Sequence, residues 1–133
     1  VGKGLIVRKL KNPAALEKRI AFVCFGPLLY SALQVAEEID ATVADMRFVK
    51  PLDEAMLHEI FNEYKKVITV EDGCLQGGVG SAVLEFMADH ELNAIVKRLG
   101  IPDQYIEHGE QPELWKECGY DAEAIAAAVR EVY

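Results

Sequence analysis

Ile20-Ala21-Phe22-Val23-Cys24-Phe25 is a run of apolar residues closed by Gly26-Pro27. Its length suits a strand. A strand with one wet face alternates apolar and polar side chains, so an unbroken run implies cover on both faces, as inside a parallel sheet. Segments of the same kind flank it. Lys66–Val70 (KVITV) is rich in β-branched residues, Ala94–Leu99 (AIVKRL) is ended by Gly100 and Pro102, Ala41–Phe48 (ATVADMRF) alternates in part, and Gly4–Leu10 (GLIVRKL) alternates weakly. Between them the period changes. Leu29, Ala32, Leu33, Ala36 and Ile39 predict an amphipathic helix over 28–39. Met56, Leu57, Ile60, Phe61 and Tyr64 predict a second, with Asp53 and Glu54 at its start, where the macrodipole favours negative charge. Ala82, Val83, Phe86, Met87 and His90 mark a third. A short helix is expected over Gln111–Glu117, and Asp121 is suited to cap a last one carrying Ala122, Ile125, Ala126, Val129 and Val132. Strands alternating with helices predict an α/β sandwich with a mostly parallel sheet and right-handed crossovers.

The 133 residues make one domain, 1–133, and 51% hydrophobic with 27% charged residues is a folded composition. Fourteen Lys and Arg against 22 Asp and Glu leave a net charge of −8, which argues against nucleic acid or an anionic membrane as partner. No apolar run approaches the ~20 residues that span a bilayer. The first residues, Val1-Gly2-Lys3-Gly4, lack both a signal peptide's apolar core and a starting Met, so a fragment of a larger chain is expected. Cys24, Cys74 and Cys118 show no paired or metal-type spacing, which suits a reducing, cytoplasmic setting.

In an open α/β sheet, ligands gather at the carboxyl ends of the strands. The most suggestive stretch there is Glu71–Gly80 (EDGCLQGGVG), in which Glu71 and Asp72 follow a strand, and Gly77, Gly78 and Gly80 lead into a helix with Ser81. Backbone N–H groups at such a start suit an anion. The dinucleotide fingerprint is incomplete, because Val83 takes the third glycine's place and Arg98 stands where an acidic residue is required. A tight turn packed against a neighbour is the better reading of the glycines. Adjacent residues on an extended chain point to opposite faces, so Glu71 and Asp72 form no dyad; one is expected to cap or pair locally. His58 reads as a surface residue, His90 as a cation suited to a helix end, and His108 as a loop histidine free to act. Cys24 reads as core packing. These residues make no complete catalytic constellation.

Three blocks, taken together, resemble a known family. They are Asp45-Met46-Arg47-Phe48-Val49-Lys50-Pro51-Leu52-Asp53; Thr69-Val70-Glu71-Asp72-Gly73 with Gly77-Gly78-Val79-Gly80-Ser81-Ala82-Val83; and Leu99-Gly100-Ile101-Pro102-Asp103 with Glu107-His108-Gly109. In order and spacing they are similar to the C-terminal domain of the 1-deoxy-D-xylulose-5-phosphate synthase family, within the transketolase-like, thiamine-diphosphate-dependent enzymes. The resemblance implies a three-layer α/β/α sandwich with a mixed, mostly parallel five-stranded sheet, its first strand antiparallel to the rest. It implies a homodimeric transferase that condenses pyruvate with glyceraldehyde 3-phosphate, loses carbon dioxide and feeds isoprenoid, thiamine and pyridoxal phosphate synthesis. Thiamine diphosphate and Mg²⁺ would sit between upstream domains, and the family's metal and cofactor motifs are not found in this sequence. For this chain it implies an assembly role, with no cofactor and no turnover of its own. Glu71, Asp72, Gly77, Gly78, Gly80, Ser81, Arg47 and His108 are then contact candidates toward the upstream domains and a second subunit. The alternatives are the matching domain of a transketolase or a 2-oxo acid dehydrogenase β subunit, or a free-standing module with an anion site at Gly77–Ser81.

Overall fold

Every residue of Ile20–Phe25 is buried, as a strand covered on both faces must be. Its alternate side chains feed two separate cores. Ile20, Phe22 and Cys24 join one cluster of buried residues, while Ala21, Val23 and Phe25 join the other. The computed structural model describes residues 3–12, 19–25, 29–47, 53–71, 79–100 and 122–132. Along them run β1 (Leu5–Arg8), β2 (Ile20–Phe25), α1 (Leu29–Ile39), β3 (Thr42–Asp45), α2 (Glu54–Glu63), β4 (Lys66–Glu71), α3 (Val79–Asp89), β5 (Ile95–Gly100) and α4 (Ala122–Val132).

The five strands form one sheet in the order β1-β3-β2-β4-β5. β2 pairs parallel with β3 and β4, and β4 pairs parallel with β5. β1 alone runs antiparallel, with Leu5 opposite Asp45 and Ile6 opposite Ala44. Ala32, Val35 and Ala36 of α1 pack with Ile125 and Val129 of α4 on one face. Met56, Leu57, Ile60 and Phe61 of α2 pack with Val83 and Phe86 of α3 on the other. The result is the expected three-layer α/β/α sandwich with a mixed five-stranded sheet.

The boundaries moved where local geometry overrides pattern. The strand expected over Ala41–Phe48 is only Thr42–Asp45. Two residues on, Arg47 takes φ 64°, a left-handed conformation that cannot continue a strand. Glu71, read as the start of a loop, is the last residue of β4, and α3 begins at Val79. The helix expected over Gln111–Glu117 and the cap at Asp121 lie outside the described residues.

Two carboxylates pin β1 at its ends. Asp53 caps α2 by accepting from Met56 N–H at 3.0 Å through Oδ1, and its Oδ2 accepts from Gly4 N–H at 2.9 Å. Gly4 is required there, because a Cβ would stand 2.8 Å from the Asp45 carbonyl oxygen. At the far end Asp40 accepts from the backbone N–H groups of Lys11 (2.9 Å) and Asn12 (2.8 Å) and from the Arg8 guanidinium (3.1 Å). The two backbone N–H groups are the main reason that the Asp40 carboxyl is lowered to about 2. A depressed carboxyl stabilises the fold when ionised. Its contribution is full above the ordinary value of 3.8 and is lost as pH falls toward about 2. Urea midpoints for the parent and Asp40→Asn should therefore differ at neutral pH and converge near pH 2. A constant gap down to that pH would contradict the assignment.

Candidate functional site

The chain leaves β2 for α1 on one face of the sheet. It leaves β3 and β4, the two neighbours of β2, for α2 and α3 on the other face. Connections that part to opposite faces open a crevice at the carboxyl ends of the strands. Phe25, Asp45, Glu71 and Gly100 end the four parallel strands at this rim.

Glu71 is the buried charge of the rim, only 3% exposed. Its Oε1 accepts from Gly80 N–H at 3.3 Å, in the first turn of α3. The helix start thus holds a carboxylate from its own chain, the charge that its dipole prefers. This is the local capping expected of one member of the Glu71-Asp72 pair. It also occupies a donor that an external anion at Gly77–Ser81 would need. Gly80 is required by close approach. A Cβ there would meet Thr69 Oγ1 and the Cγ and Cδ of Arg98, each at 2.9 Å. The Thr69 hydroxyl is fully buried and makes no hydrogen bond among the described residues. Arg98 lies along this turn and donates from Nη1 to Ser81 Oγ at 3.1 Å.

The structure therefore joins Glu71, Gly80 and Ser81 into one unit. Arg47 stands apart, beyond the end of β3. Its side chain is about half exposed and 3.9 Å from Asp45. A non-glycine residue held left-handed costs about 1–3 kcal/mol, and such residues collect where a side chain must be aimed. Asp72, Gly77, Gly78 and His108 lie outside the described residues.

Sequence reading missed Thr69, Arg98, Tyr30 and Leu5 as rim residues. Arg98 was visible only as a residue unsuited to a nucleotide site. Tyr30 carried a usable signal, since a large aromatic just after Gly26-Pro27 falls at the start of a helix that springs from the rim. It is 75% exposed. Leu5, 49% exposed, reaches the rim because antiparallel β1 pairs it with Asp45.

Two further expectations can be placed. Burial, with Asp45 nearby, pushes the Cys24 thiol far up, which suits a packing residue and not a nucleophile. His58 is not a plain surface residue. It is half-buried between α2 and α3, with its ring edge-on to Phe86. The reading failed because that position is polar by helical period, yet it faces the neighbouring helix. Among the described residues, no three His, Cys, Asp or Glu side chains gather as a metal site would need, and no helix is long and apolar enough to cross a membrane.

Residues 11–125 match the family described as Transketolase, C-terminal domain. The chain is 62% identical over 101 residues to the 1-deoxy-D-xylulose-5-phosphate synthase of Cytophaga hutchinsonii, covering 76% of this chain and 16% of that protein. It is 45% identical over 131 residues to the enzyme of the same name from Paraburkholderia phymatum, covering 98% of this chain and 20% of that protein. Among solved structures it superposes on a split-gene transketolase described as an inactive β4 tetramer. The TM-score is 0.80 at 29% identity, over 98% of this chain and 41% of that one. The chain spans about a fifth of the length of the curated relatives it matches.

Proposed function

The chain belongs to the transketolase C-terminal domain family, and from that membership we propose that it is the assembly domain of a 1-deoxy-D-xylulose-5-phosphate synthase. In this reading the whole enzyme is a soluble cytoplasmic homodimer. It joins pyruvate to glyceraldehyde 3-phosphate with loss of carbon dioxide, using thiamine diphosphate and Mg²⁺ held by upstream domains. The identity to synthases favours it over the matching domain of a transketolase or a 2-oxo acid dehydrogenase β subunit. The described rim does not fit the magnesium–diphosphate head of that cofactor. Its buried acid, Glu71, is turned into the start of α3, and among the described residues no three His, Cys, Asp or Glu side chains gather as a metal site would need.

One observation carries the reading. The rim presents exposed Leu5 and Tyr30 together with the left-handed Arg47. Antiparallel β1 brings the residue-3 end of the chain to that same rim, so a preceding domain would join where these side chains are displayed. Aromatic and arginine side chains on an open surface are the usual anchors of protein contacts.

The test is Tyr30→Ala combined with Arg47→Glu, made both in this chain and in the full-length synthase. Thermal unfolding of the isolated chain should change little. In the full-length enzyme, losing an anchor worth about 2 kcal/mol or more weakens the contact by about 30-fold. Activity and subunit association should fall together. Wild-type activity and assembly in the double variant would refute the interface, and product formed by the isolated chain with cofactor and both substrates would refute the assembly role.

A further inference from the structure

His58 and His90 have no part in the rim. They meet on the outer side of the α2–α3 contact, where Phe86 is buried beneath them. The ring centroids of His58 and Phe86 are 4.9 Å apart, and those of Phe86 and His90 are 4.2 Å apart. The two imidazoles are 4.7 Å apart, with their planes at 89°.

The chemistry of His90 is fixed by its neighbour. Its Nδ1 lies 2.9 Å from the Phe86 carbonyl oxygen. A carbonyl can only accept, so Nδ1 carries the proton and the neutral ring keeps its lone pair on Nε2. Metal-binding histidines are held in this way, one ring N–H tied to a carbonyl and the other nitrogen free to coordinate.

The separation of the rings is compatible with one ion bound by both. With metal–nitrogen bonds of about 2.0–2.1 Å, two imidazoles at a right angle on one ion have centroids about 4.5 Å apart, and at a tetrahedral angle about 5.2 Å. The observed 4.7 Å falls within that range. Imidazole suits nickel and copper, which take nitrogen ligands and water in tetragonal and octahedral sites. The net charge of −8 adds a general attraction for a dication. No third His, Cys, Asp or Glu among the described residues joins the pair, so water would complete the coordination.

We propose that His58 and His90 form a two-imidazole site for a divalent nickel or copper ion that clips α2 to α3 over Phe86. The ion binds the folded pair and not the separated histidines, so it raises the unfolding temperature, and the rise continues with the logarithm of free ion above the dissociation constant.

The probe is nickel chloride, titrated calorimetrically into the 133-residue chain at about pH 7.5, where imidazole is neutral. Binding is expected with one ion per chain, and His58→Gln and His90→Gln should each weaken it more than about tenfold. His108→Gln, altering the remaining histidine, should keep it. Nickel is paramagnetic, so in the parent it should broaden the proton resonances of His58, Phe86 and His90 before all others, a readout that needs no variant to fold. Absence of saturable binding would overturn the site. So would binding retained in both single variants, or broadening centred elsewhere.

Discussion

Phe22→Ala is expected to lower the unfolding free energy by about 3–5 kcal/mol, the usual cost of emptying a buried aromatic site. Phe22 is 0% exposed in the middle of the central strand, paired with Val43 on one side and Ile68 on the other. Strands hydrogen-bonded on both sides cannot close readily around the space, so little of the cavity collapses. A domain of this size holds about 5–15 kcal/mol in total, so the variant sits near the edge of folding. Urea unfolding at neutral pH measures the loss. A loss under about 1 kcal/mol would mean that the core between α1, α4 and the sheet is not packed around this ring.

Gly80→Val is expected to cost about 1–3 kcal/mol through crowding. Propensity alone argues the other way, since glycine inside a helix is about 1 kcal/mol worse than alanine and valine falls between them. The sign therefore reports what stands beside the glycine. A first side-chain carbon already meets Thr69 Oγ1 and the Arg98 stem at 2.9 Å, and valine adds two methyl groups. Removing the obstruction should restore part of the loss. Gly80→Val in a Thr69→Ala background should cost measurably less than in the parent, a coupling read from a double-mutant cycle of unfolding free energies. Strictly additive effects would show that the hydroxyl does not set the constraint.

Much of the sheet was legible because burial on both faces writes itself into composition. Ile20–Phe25 and Lys66–Val70 could hardly be anything but internal strands. The α2 start was legible too, since Asp53 caps it as an acidic residue before an apolar stripe should. The rim was harder. Glu71 and Gly80 could be picked out by type and spacing. Their pairing depends on where β4 ends and α3 begins, which one-dimensional pattern places only to within a few residues. The short β3 was illegible for a different reason. Nothing in Asp45-Met46-Arg47 announces that an arginine will sit left-handed, a choice made by tertiary packing. His58 shows the limit of helical period, which separates inside from outside but does not tell an outer face from one that meets a second helix.

The clamps on β1 have a mechanical consequence. Gly4 N–H on Asp53 holds one end of the strand, and Arg8, Lys11 and Asn12 on Asp40 hold the other. A tug from any segment preceding residue 3 that runs along the strand axis loads the whole β1–β3 ladder at once, so its cross-strand bonds must yield together. A sideways tug meets the Asp53–Gly4 bond first and then opens the ladder one rung at a time. The edge strand therefore behaves as a directional tether, stiff against axial strain and compliant to lateral peeling. Its grip at one end depends on a single carboxylate that also starts α2.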